Sequence, residues 1–403
     1  MAQELYELPQ GWEWKTLSSF ATVIMGQSPP SSTYNRDKIG LPLINGPVEF
    51  SKDPFGETVK IQYTTAPNKI CKKGDLLLCV RGATTGRTNI AGFDACIGRG
   101  VAAIRHPHQR YLAWLIRAQA QIILQKGKGS TFPAITGAEL KKLQIPVPPL
   151  AEQERIVAKL DALFSRIDQA IAQLQHTQAQ TKALFASALD AAFESEKHQY
   201  KTLKEISNLV TDGTHHSPKI QHPEAGPERF KYLTSKNVKF HGLKLDNLTY
   251  IDKDVHEEIY NRCPPEYLDQ LITKDGAMTG TCCLNTLDEP YSLLSSVALV
   301  KLKREMMEPH FLNYFLRSPK GQNSMLEDIA GAAIKRTTLT KLKVLKIPVP
   351  PLAEQSKIVA QLDAISERTQ ALTAATSAQL EQLQSLKASL LDAAFRGQLP
   401  SDQ

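Results

Sequence analysis

The chain has 403 residues, of which 42% are hydrophobic and 22% are charged, and its formal net charge is +7 at pH 7. No stretch approaches the roughly 20 apolar residues of a membrane span, and the first residues lack the basic and apolar pattern of a signal peptide. We therefore expect a soluble, cytoplasmic protein that has no membrane partner. The charge is modest for this length and does not by itself indicate binding to nucleic acid.

The cysteines stand at irregular positions and include no C-x-x-C pair. We expect them to be reduced packing residues rather than disulfides or metal ligands, because they lie mostly in apolar, strand-like contexts. They are Cys71, Cys79, Cys96, Cys263, Cys282 and Cys283.

The first globular stretch, residues 1–145, mixes strand and helix patterns. Short apolar runs bounded by glycine, aspartate or lysine indicate strands at Leu76–Val80 and Val101–Ile104. The pattern of Tyr111–Gln125 predicts a helix, and Gly26–Pro30 is typical of a loop. This stretch therefore belongs to the α+β class.

A proline-rich segment, Ile145–Gln153, separates this stretch from a long helix. Proline lacks a backbone N–H and favours extended geometry in the residue before it, so Ile-Pro-Val-Pro-Pro cannot be helical, whereas Leu-Ala-Glu-Gln can open a helix. A helix from about Leu150 to Glu194 would be roughly 65 Å long at 1.5 Å per residue.

Within this helix and its later copy, apolar residues recur at alternating spacings of four and three residues. Such heptad spacing places a narrow apolar seam along one side of a helix, so each helix requires a partner helix. The predicted seam residues are Ile156, Leu160, Leu163, Ile167, Leu174 and Leu184 in the first helix and Ile358, Leu362, Ile365, Leu372, Leu383, Leu386 and Leu390 in the second.

The whole arrangement occurs twice. Ile145–Phe193 returns 202 residues later as Ile347–Phe395, and 26 of these 49 positions are identical. A second globular stretch, residues 198–346, lies between the copies; in it Val297–Val300 indicates a strand and His310–Glu327 a helix. The chain is therefore a tandem of two half-molecules.

The two globular stretches have diverged more than the helices but retain short matches. Gly82–Gly86 resembles Gly276–Gly280, and Tyr111–Arg117 resembles Phe311–Arg317. The displacement changes from 194 to 200 residues between these two pairs, which indicates a shared fold with loops of different length.

Together these patterns predict an α+β protein with an internal pseudo-twofold repeat. Two mixed α/β domains are joined by two long helices, which supply each other's partner and pack as an antiparallel coiled coil. The expected segments are 1–145, 146–197, 198–346 and 347–403.

Basic and hydroxyl side chains cluster on glycine-containing loops of both domains. Arginine, lysine, asparagine and hydroxyl groups on such loops can contact phosphates and base edges, although any single cluster is equally consistent with a solvated polar loop. The candidate DNA-binding residues are Arg81, Thr84, Thr85, Arg87, Asn89, Arg99, Lys126, Lys128, Ser130 and Thr131 in the first domain and Thr214, His215, His216, Lys219, Ser235, Lys236, Asn237, Lys335, Arg336 and Thr337 in the second.

Patterns for catalysis or metal binding are thin. Lys126–Thr131 lacks both an upstream glycine and the Gly-Lys-Ser/Thr triplet of a phosphate-binding loop. His215 and His216 have no further ligand at metal-binding spacing, so a hydrogen-bonding or DNA-contacting role is favoured. Cys263–Tyr267 lacks the Asn or Asp of an adenine-methyltransferase tetrapeptide. We expect no catalytic residue, no metal ligand and no cofactor in this chain.

The order of motifs resembles the specificity subunit of type I restriction-modification enzymes. Leu8–Leu17 precedes a variable domain, Ile145–Gln153 opens a long helix, and Leu189–Phe193 ends it; the order then repeats and closes with Phe395–Leu399. Asp212–His215 is similar to a stretch of that family's target recognition domains. The resemblance covers essentially the full chain.

This resemblance implies that domains 1–145 and 198–346 each recognise one half of a bipartite double-stranded DNA sequence, and that the helices in 146–197 and 347–403 fix the gap between the half-sites. It also implies two modification methyltransferase (M) subunits, which bind S-adenosylmethionine and methylate adenine. Restriction (R) subunits, which are translocases and endonucleases dependent on ATP and Mg, join them for cleavage.

For DNA contact we expect the two domains to face about the same side of the duplex, with half-sites about one turn of ~10 base pairs apart. The residues expected to contact phosphate or guanine are Arg81, Arg87, Lys128, Lys236, Lys335 and Arg336, and those expected to contact base edges are Asn89, Asn237, Thr84 and His215.

Two other classes of function stay open from sequence. A stand-alone nuclease or methyltransferase would form product by itself, and a coiled-coil scaffold would show no salt-dependent binding to duplex DNA. Two divergent domains on a repeated frame favour DNA recognition over a scaffold.

Overall fold

The computed structural model of the chain describes residues 5–126, 134–194, 198–327 and 336–399, and for Lys126 the backbone alone. The chain forms two compact units, of which Met1–Leu174 with Ala378–Gln403 is the first and Gln175–Ser377 the second. In the described ranges no helix is both long enough and apolar enough to cross a membrane. The division of the chain at residues 145, 197 and 346 stays a prediction.

The first domain combines short strands and helices. In chain order its elements are β1 (Glu13–Thr16), α1 (Leu17–Phe20), β2 (Thr22–Met25), a 3-10 turn (Ser31–Thr33), β3 (Tyr34–Asn35), β4 (Leu41–Ile44), β5 (Gln62–Thr64), β6 (Ile70–Cys71), β7 (Leu76–Cys79), β8 (Thr88–Ile90), β9 (Ala95–Ile97), β10 (Val101–Arg105), α2 (Gln109–Ala118), α3 (Ala120–Lys126), α4 (Gly137–Lys141), β11 (Gln144–Val147) and α5 (Leu150–Ala192).

The strands of this domain form sheets of order β2-β10-β7-β8, β3-β5-β4-β9-β6 and β1-β11. The predicted strands at Leu76 and Val101 are confirmed as the two central strands of the first sheet. Their side chains are buried on both faces, which is why these runs are continuously apolar instead of alternating.

The second domain follows the same plan. Its elements are β12 (Tyr200–Thr202), β13 (Ser207–Asp212), β14 (Arg229–Leu233), β15 (Val238–Lys239), β16 (Gly242–Leu243), β17 (Thr249–Asp252), α6 (Lys253–Arg262), β18 (Gln270–Thr273), β19 (Cys282–Leu284), β20 (Ser292–Leu293), β21 (Val297–Leu302), α7 (Pro309–Arg317), α8 (Pro319–Leu326), α9 (Leu339–Val344), β22 (Lys346–Pro348) and α10 (Leu352–Phe395).

The central sheet of the second domain has the order β13-β21-β18-β19, which corresponds strand by strand to β2-β10-β7-β8. Smaller sheets have the orders β17-β14-β20, β12-β22 and β15-β16. The prediction of an α+β chain with two long helices is therefore confirmed, and the two domains share the core of their fold.

One helix was expected in each domain at Tyr111–Gln125 and His310–Glu327, and each is interrupted. In the second domain the break falls at Ser318, because Pro319 has no N–H to donate and disfavours helical geometry in the residue before it. Ser318 then caps the next helix, and its hydroxyl accepts a hydrogen bond from the Gly321 N–H at 3.1 Å. In the first domain Gln119 separates α2 from α3.

The proline-rich segments behave as predicted: each forms a strand and then turns into a long helix. A glutamine in the first helical turn secures each corner. The Gln153 amide donates to the Pro148 carbonyl at 3.0 Å, and the Gln355 amide donates to the Pro350 carbonyl at 2.8 Å. Both glutamine side chains are buried, so their amides need these carbonyl partners. This explains why the glutamine recurs together with the prolines in both copies.

The long helices run antiparallel within each unit. In the first unit Asp168 of α5 forms an ion pair with Lys387 of α10. In the second unit the Gln178 amide donates to the Ser377 hydroxyl at 3.0 Å. Each of these pairs joins α5 to α10 inside one unit, which is the arrangement expected of an intramolecular pair.

The predicted seam is only partly correct. Of its members, Ile156, Leu160, Ile167 and Leu362 are buried, Leu163, Leu174, Ile358, Ile365, Leu383 and Leu390 are half-buried, and Leu184, Leu372 and Leu386 are exposed by 61%, 44% and 44%. In both helices one line of the seam lies one residue later than predicted. Leu386 faces solvent, and the next residue, Lys387, lies over the Phe164 ring at 5.3 Å.

The difference has a physical cause. Hydrophobicity and spacing favour leucine at these positions, but a lysine can cover apolar surface with its aliphatic stem, and an aromatic ring fills more of a seam than a leucine. Phe164, next to the predicted Leu163, is 3% exposed and packs edge-on against Trp114 at 4.5 Å between ring centroids.

We expect Phe164→Ala to lower the free energy of unfolding of the first unit by about 3–5 kcal/mol, because it removes a fully packed ring. The matched control Leu386→Ala, at a position predicted to lie in the seam but found exposed, should cost less than about 1 kcal/mol. Urea denaturation of the two variants checks this difference. If the two variants were equally destabilised, the seam predicted from sequence, which includes Leu386, would be correct after all.

Each domain is fixed to a long helix by an equivalent hydrogen bond. In the first unit the Trp114 indole N–H donates to Asp161 of α5 at 2.8 Å. In the second unit the Tyr314 hydroxyl donates to Asp363 of α10 at 2.5 Å. Asp161 and Asp363 occupy the same place in the two helix copies, so the aromatic residue differs between the copies while its acceptor does not.

Candidate nucleic-acid interface

The candidate interface of the first domain is one edge of the sheet β2-β10-β7-β8. The register pairs Met25 with Ala102 and Cys79 with Val101, so β2 and β7 end where β10 begins. The loops beyond these ends carry Arg81, exposed after β7, and Arg99, exposed before β10. Both arginines are predictable from the sequence, but the edge that they share is not.

A further loop joins this edge directly after β2. The Arg99 backbone N–H donates to the Ser28 hydroxyl at 3.1 Å, which holds the two loops together. Gly26 is required at the start of this loop because a Cβ there would collide with the Gly98 carbonyl oxygen. Ser28 was not among the predicted residues, and the glycine in Gly26–Pro30 was the only sequence signal for it.

The turn between β7 and β8 carries Thr84, Thr85 and Arg87. Gly82 and Gly86 have positive φ angles of 85° and 92°, and the corresponding Gly276 and Gly280 have 95° and 91°. The short sequence match between the domains therefore encodes one turn of the same shape. Thr84 is half-buried.

Arg87 is exposed, and its guanidinium donates to the Ser51 carbonyl at 2.9 Å. This bond directs the side chain toward the loop that contains Ser51. Arg87 can still present its remaining N–H groups to an acceptor, because a guanidinium carries five donors.

In the second domain five loop segments meet at the equivalent edge. The Ser295 N–H donates to the Thr214 carbonyl at 2.8 Å, and the Ser235 N–H donates to the Ser296 hydroxyl at 3.1 Å. The Arg336 guanidinium pairs with Asp275 at 2.8 Å. The described parts of the predicted loops of the second domain are thus brought together, and Ser295 and Ser296, which are not among the predicted residues, join them.

Of the predicted residues on these loops, Thr214 and Ser235 are half-buried, and the exposed ones are His215, His216, Lys219, Lys236 and Arg336. The Thr214 hydroxyl accepts the His216 N–H at 3.3 Å, so the two histidines stand on an ordered turn. The second edge thus offers imidazole and ammonium groups in addition to the Arg336 guanidinium, whereas the exposed charged groups of the first edge are guanidinium groups.

Four predicted contacts are corrected by burial. Asn89 has no exposed surface, and its amide donates to the Ser51 hydroxyl and the Asp53 carbonyl at 2.9 and 2.8 Å. Asn237 accepts the Thr234 N–H at 2.9 Å and donates to the Lys244 carbonyl at 3.0 Å. Both amides are used inside the domain, so neither is retained as a base contact.

Thr85 and Thr337 are also buried, with exposed fractions of 8% and 1%. The Thr85 hydroxyl donates to the Gly82 carbonyl at 2.8 Å and stabilises the turn. A hydroxyl or amide residue on a glycine-containing loop has the right chemistry for DNA, but the same chemistry also satisfies the backbone of a turn.

We expect Asn89→Ala to destabilise the first unit by about 1–3 kcal/mol, because the Ser51 N–H and neighbouring groups lose their buried partner. Any effect of Asn89→Ala on DNA selectivity should be explained entirely by the smaller fraction of folded protein. Thermal denaturation combined with DNA binding below the transition tests this expectation; a selectivity change in fully folded protein would contradict it.

Five predicted contacts cannot be placed. The side chain of Lys126 and the residues Lys128, Ser130, Thr131 and Lys335 lie outside the described residues.

The cysteines are free thiols and all are buried. Burial raises the pKa of the Cys71 and Cys79 thiols to about 11, so both are protonated and unreactive at neutral pH. Among the residues that the structure describes, no three His, Cys, Asp or Glu side chains are grouped to hold a metal ion.

Comparison with known proteins identifies the family. The family model described as "Type I restriction modification DNA specificity domain" matches residues 9–176 and 196–382. The putative type I restriction enzyme MjaX specificity subunit of Methanocaldococcus jannaschii is 37% identical over 174 residues, which is 41% of this chain and 39% of that protein. The type I restriction enzyme EcoKI specificity subunit of Escherichia coli K12 is 22% identical over 98% of this chain and 90% of its own length.

Solved structures share the fold. A chain from work on complex assembly and conformational transition of the type I R-M system has a TM-score of 0.79 at 22% identity, covering 98% of this chain and 100% of its own. The HsdS subunit from Thermoanaerobacter tengcongensis has a TM-score of 0.57 at 23% identity, covering 98% and 99%. Since the family model matches both halves of the sequence, the chain belongs to the family of type I restriction-modification DNA specificity proteins.

Proposed function

We propose that this chain is the DNA-recognition subunit of a type I restriction-modification system, and that each domain recognises one half of a bipartite target. One observation carries the proposal: the two domains present equivalent sheet edges with different side chains. Arg81 and Arg99 stand at the first edge, and His215 and Lys236 belong to the second. Equal frames with unequal contact residues suit two half-sites of different sequence.

The two long helices set the distance between the half-sites in this proposal. They contain 43 and 44 residues, or roughly 65 Å each at 1.5 Å per residue. An uninterrupted helix is stiff, and the displacement of 202 residues stays constant over all 49 positions of the repeated element, which supports a shared requirement for its length. We expect half-sites separated by about one helical turn of DNA, ~10 base pairs.

Catalysis belongs to partner subunits in this proposal. Two modification subunits would supply S-adenosylmethionine and methylate adenine, and restriction subunits would supply ATP- and Mg-dependent translocation and cleavage. The support comes from the relatives, which are named as specificity subunits of type I restriction enzymes. Such a complex acts on the DNA of its own cell, so we place it in the cytoplasm.

The test is to co-express the chain with its methyltransferase subunit in a host without adenine methylation and to map N6-methyladenine across the genome. We expect one interrupted motif, methylated on both strands. An intact complex that methylates no motif would refute the proposal, and product formed by the purified chain alone would favour a stand-alone enzyme.

A further inference from the structure

A buried cluster of charges lies beneath the loop Gly213–Lys219. The Lys274 ammonium contacts one carboxylate oxygen of Asp212 at 2.6 Å, and each residue is only 3% exposed. The other carboxylate oxygen accepts a hydrogen bond from Arg262 at 3.0 Å and lies 3.4 Å from the His215 imidazole. Asp212 therefore joins the interior of the domain to an exposed residue of the candidate interface.

The backbone around Asp212 is fixed as well. Arg262 also donates to the carbonyl oxygens of Asp212 and Gly213. A Cβ at Gly213 would collide with the Leu293 carbonyl oxygen, so the chain passes very close to a neighbouring segment here. The loop thus leaves the sheet from a rigid base.

The first domain has no charges at the equivalent places. Met25 ends β2 as Asp212 ends β13, and each is followed by a glycine that admits no side chain. Val80 follows β7 as Lys274 follows β18. The Val80 carbonyl accepts the Ile135 N–H at 3.0 Å, and the Lys274 carbonyl accepts the Thr337 N–H at 2.9 Å.

The fold can therefore be built with an apolar pair where the second domain buries an ion pair. Removing two charges from water is costly, and replacing a buried ion pair with apolar residues is often neutral or stabilising. Stability does not explain why the second domain retains this pair. Orientation of the loop explains it, because the Asp212 carboxylate, whose position is fixed by Lys274 and Arg262, can in turn hold the His215 imidazole.

The loops above these positions differ in the same way. The first-domain loop, Gln27–Pro30, carries no ionisable side chain. The second-domain loop carries His215, His216 and Lys219, all exposed. An ionisable contact residue on an exposed loop needs a fixed partner if it is to select one base, whereas a serine held by a backbone N–H does not.

We propose that Asp212, itself held by Lys274 and Arg262, is a positioning residue that orients His215 toward the DNA bases of the half-site recognised by the second domain. This inference rests on the proposed function and deepens it, because it names how one domain, and not the other, achieves selectivity. Asp212 is buried and touches no DNA itself; it acts through His215.

The experiment exchanges the pair for that of the first domain, Asp212→Met with Lys274→Val, in the full chain assembled with its methyltransferase subunit. Methylation rates are measured on the native target and on targets with one base changed in either half-site. We expect the ratio of native to altered rates to fall at least 10-fold for the second half-site and to stay unchanged for the first. The thermal midpoint should remain within a few degrees, since the first domain folds with these residues.

Two further variants separate positioning from a purely structural role. His215→Ala should cause the same loss at the second half-site, and adding the Asp212/Lys274 exchange to it should cause no further loss. Met25→Leu, at the equivalent position of the first domain, should leave the second half-site unaffected.

Unchanged selectivity in the exchanged variant would overturn the inference, as would an equal loss at both half-sites. Additive losses from His215→Ala and the exchange would also overturn it. Failure of the proposed function is distinguishable, because the native complex would then show no selectivity at either half-site.

Discussion

Inserting one heptad into each long helix is expected to lengthen the unrecognised gap of the target while both half-sites keep their sequence. The insertions belong after Leu174 in α5 and after Leu380 in α10, which the Asp168–Lys387 pair places opposite one another. Seven residues add about 10 Å of helix, so the gap should grow by at most about three base pairs. Methylome mapping of the variant complex gives the new motif directly.

The control for this experiment is the same insertion in one helix alone. It leaves seven residues without a facing partner and should disrupt the helix pair, with loss of methylation instead of a new motif. A double insertion that methylates the original motif with the original gap would refute the role of helix length.

Replacing Arg81 and Arg99 together with alanine should abolish selectivity for the half-site of the first domain. A well-formed arginine contact with guanine contributes about 1–3 kcal/mol, so losing both should lower affinity by at least 30-fold, or roughly 2 kcal/mol. Selectivity at the second half-site should persist. Competition binding of the complex to targets altered in one half-site measures both effects.

Lys72→Ala is the matched control for this variant. Lys72 lies in the segment that leads into β7, at the opposite end of that strand from Arg81, and its ammonium is paired with Asp94 at 2.7 Å. It is a surface cation of the same domain, so its loss tests for a general charge effect. If Lys72→Ala and the double arginine variant weaken binding equally, the sheet edge is not the site of recognition.

The frame of the molecule was predictable because its signals are local. A Pro-Pro pair ends a strand and permits a helix to begin directly after it. The chain shows this twice, at Pro148 and Pro149 and again at Pro350 and Pro351. Strand positions followed from apolar runs that are buried on both faces. The interruption at Ser318 was also signalled locally by Pro319, although the helical pattern on either side obscured it.

The contact residues were harder to predict because polarity does not reveal which way a side chain faces. Asn89 and Asn237 have the chemistry of base contacts, yet each satisfies backbone groups of its own domain. Arg81 and Arg99 are each closer in sequence to Asn89 than to each other, and only the strand register, which pairs Asn89 with Leu77 inside the sheet, separates them from it. The Asp212–Lys274 pair joins the last residue of β13 to the residue that follows β18, and these strands are not neighbours in the sheet, so no sequence pattern marks the pair.

The first unit is assembled from two distant parts of the chain, and this affects how it can be synthesised. Its core includes Ala394, Phe395 and Leu399 together with Tyr111 and Trp114. About 220 residues separate the end of its first part from these last members, so at ordinary rates of translation its core stays incomplete for roughly 10–45 s. The domain made first is therefore the last to be completed, and a ribosome stall within the second domain would leave the first with an open apolar face.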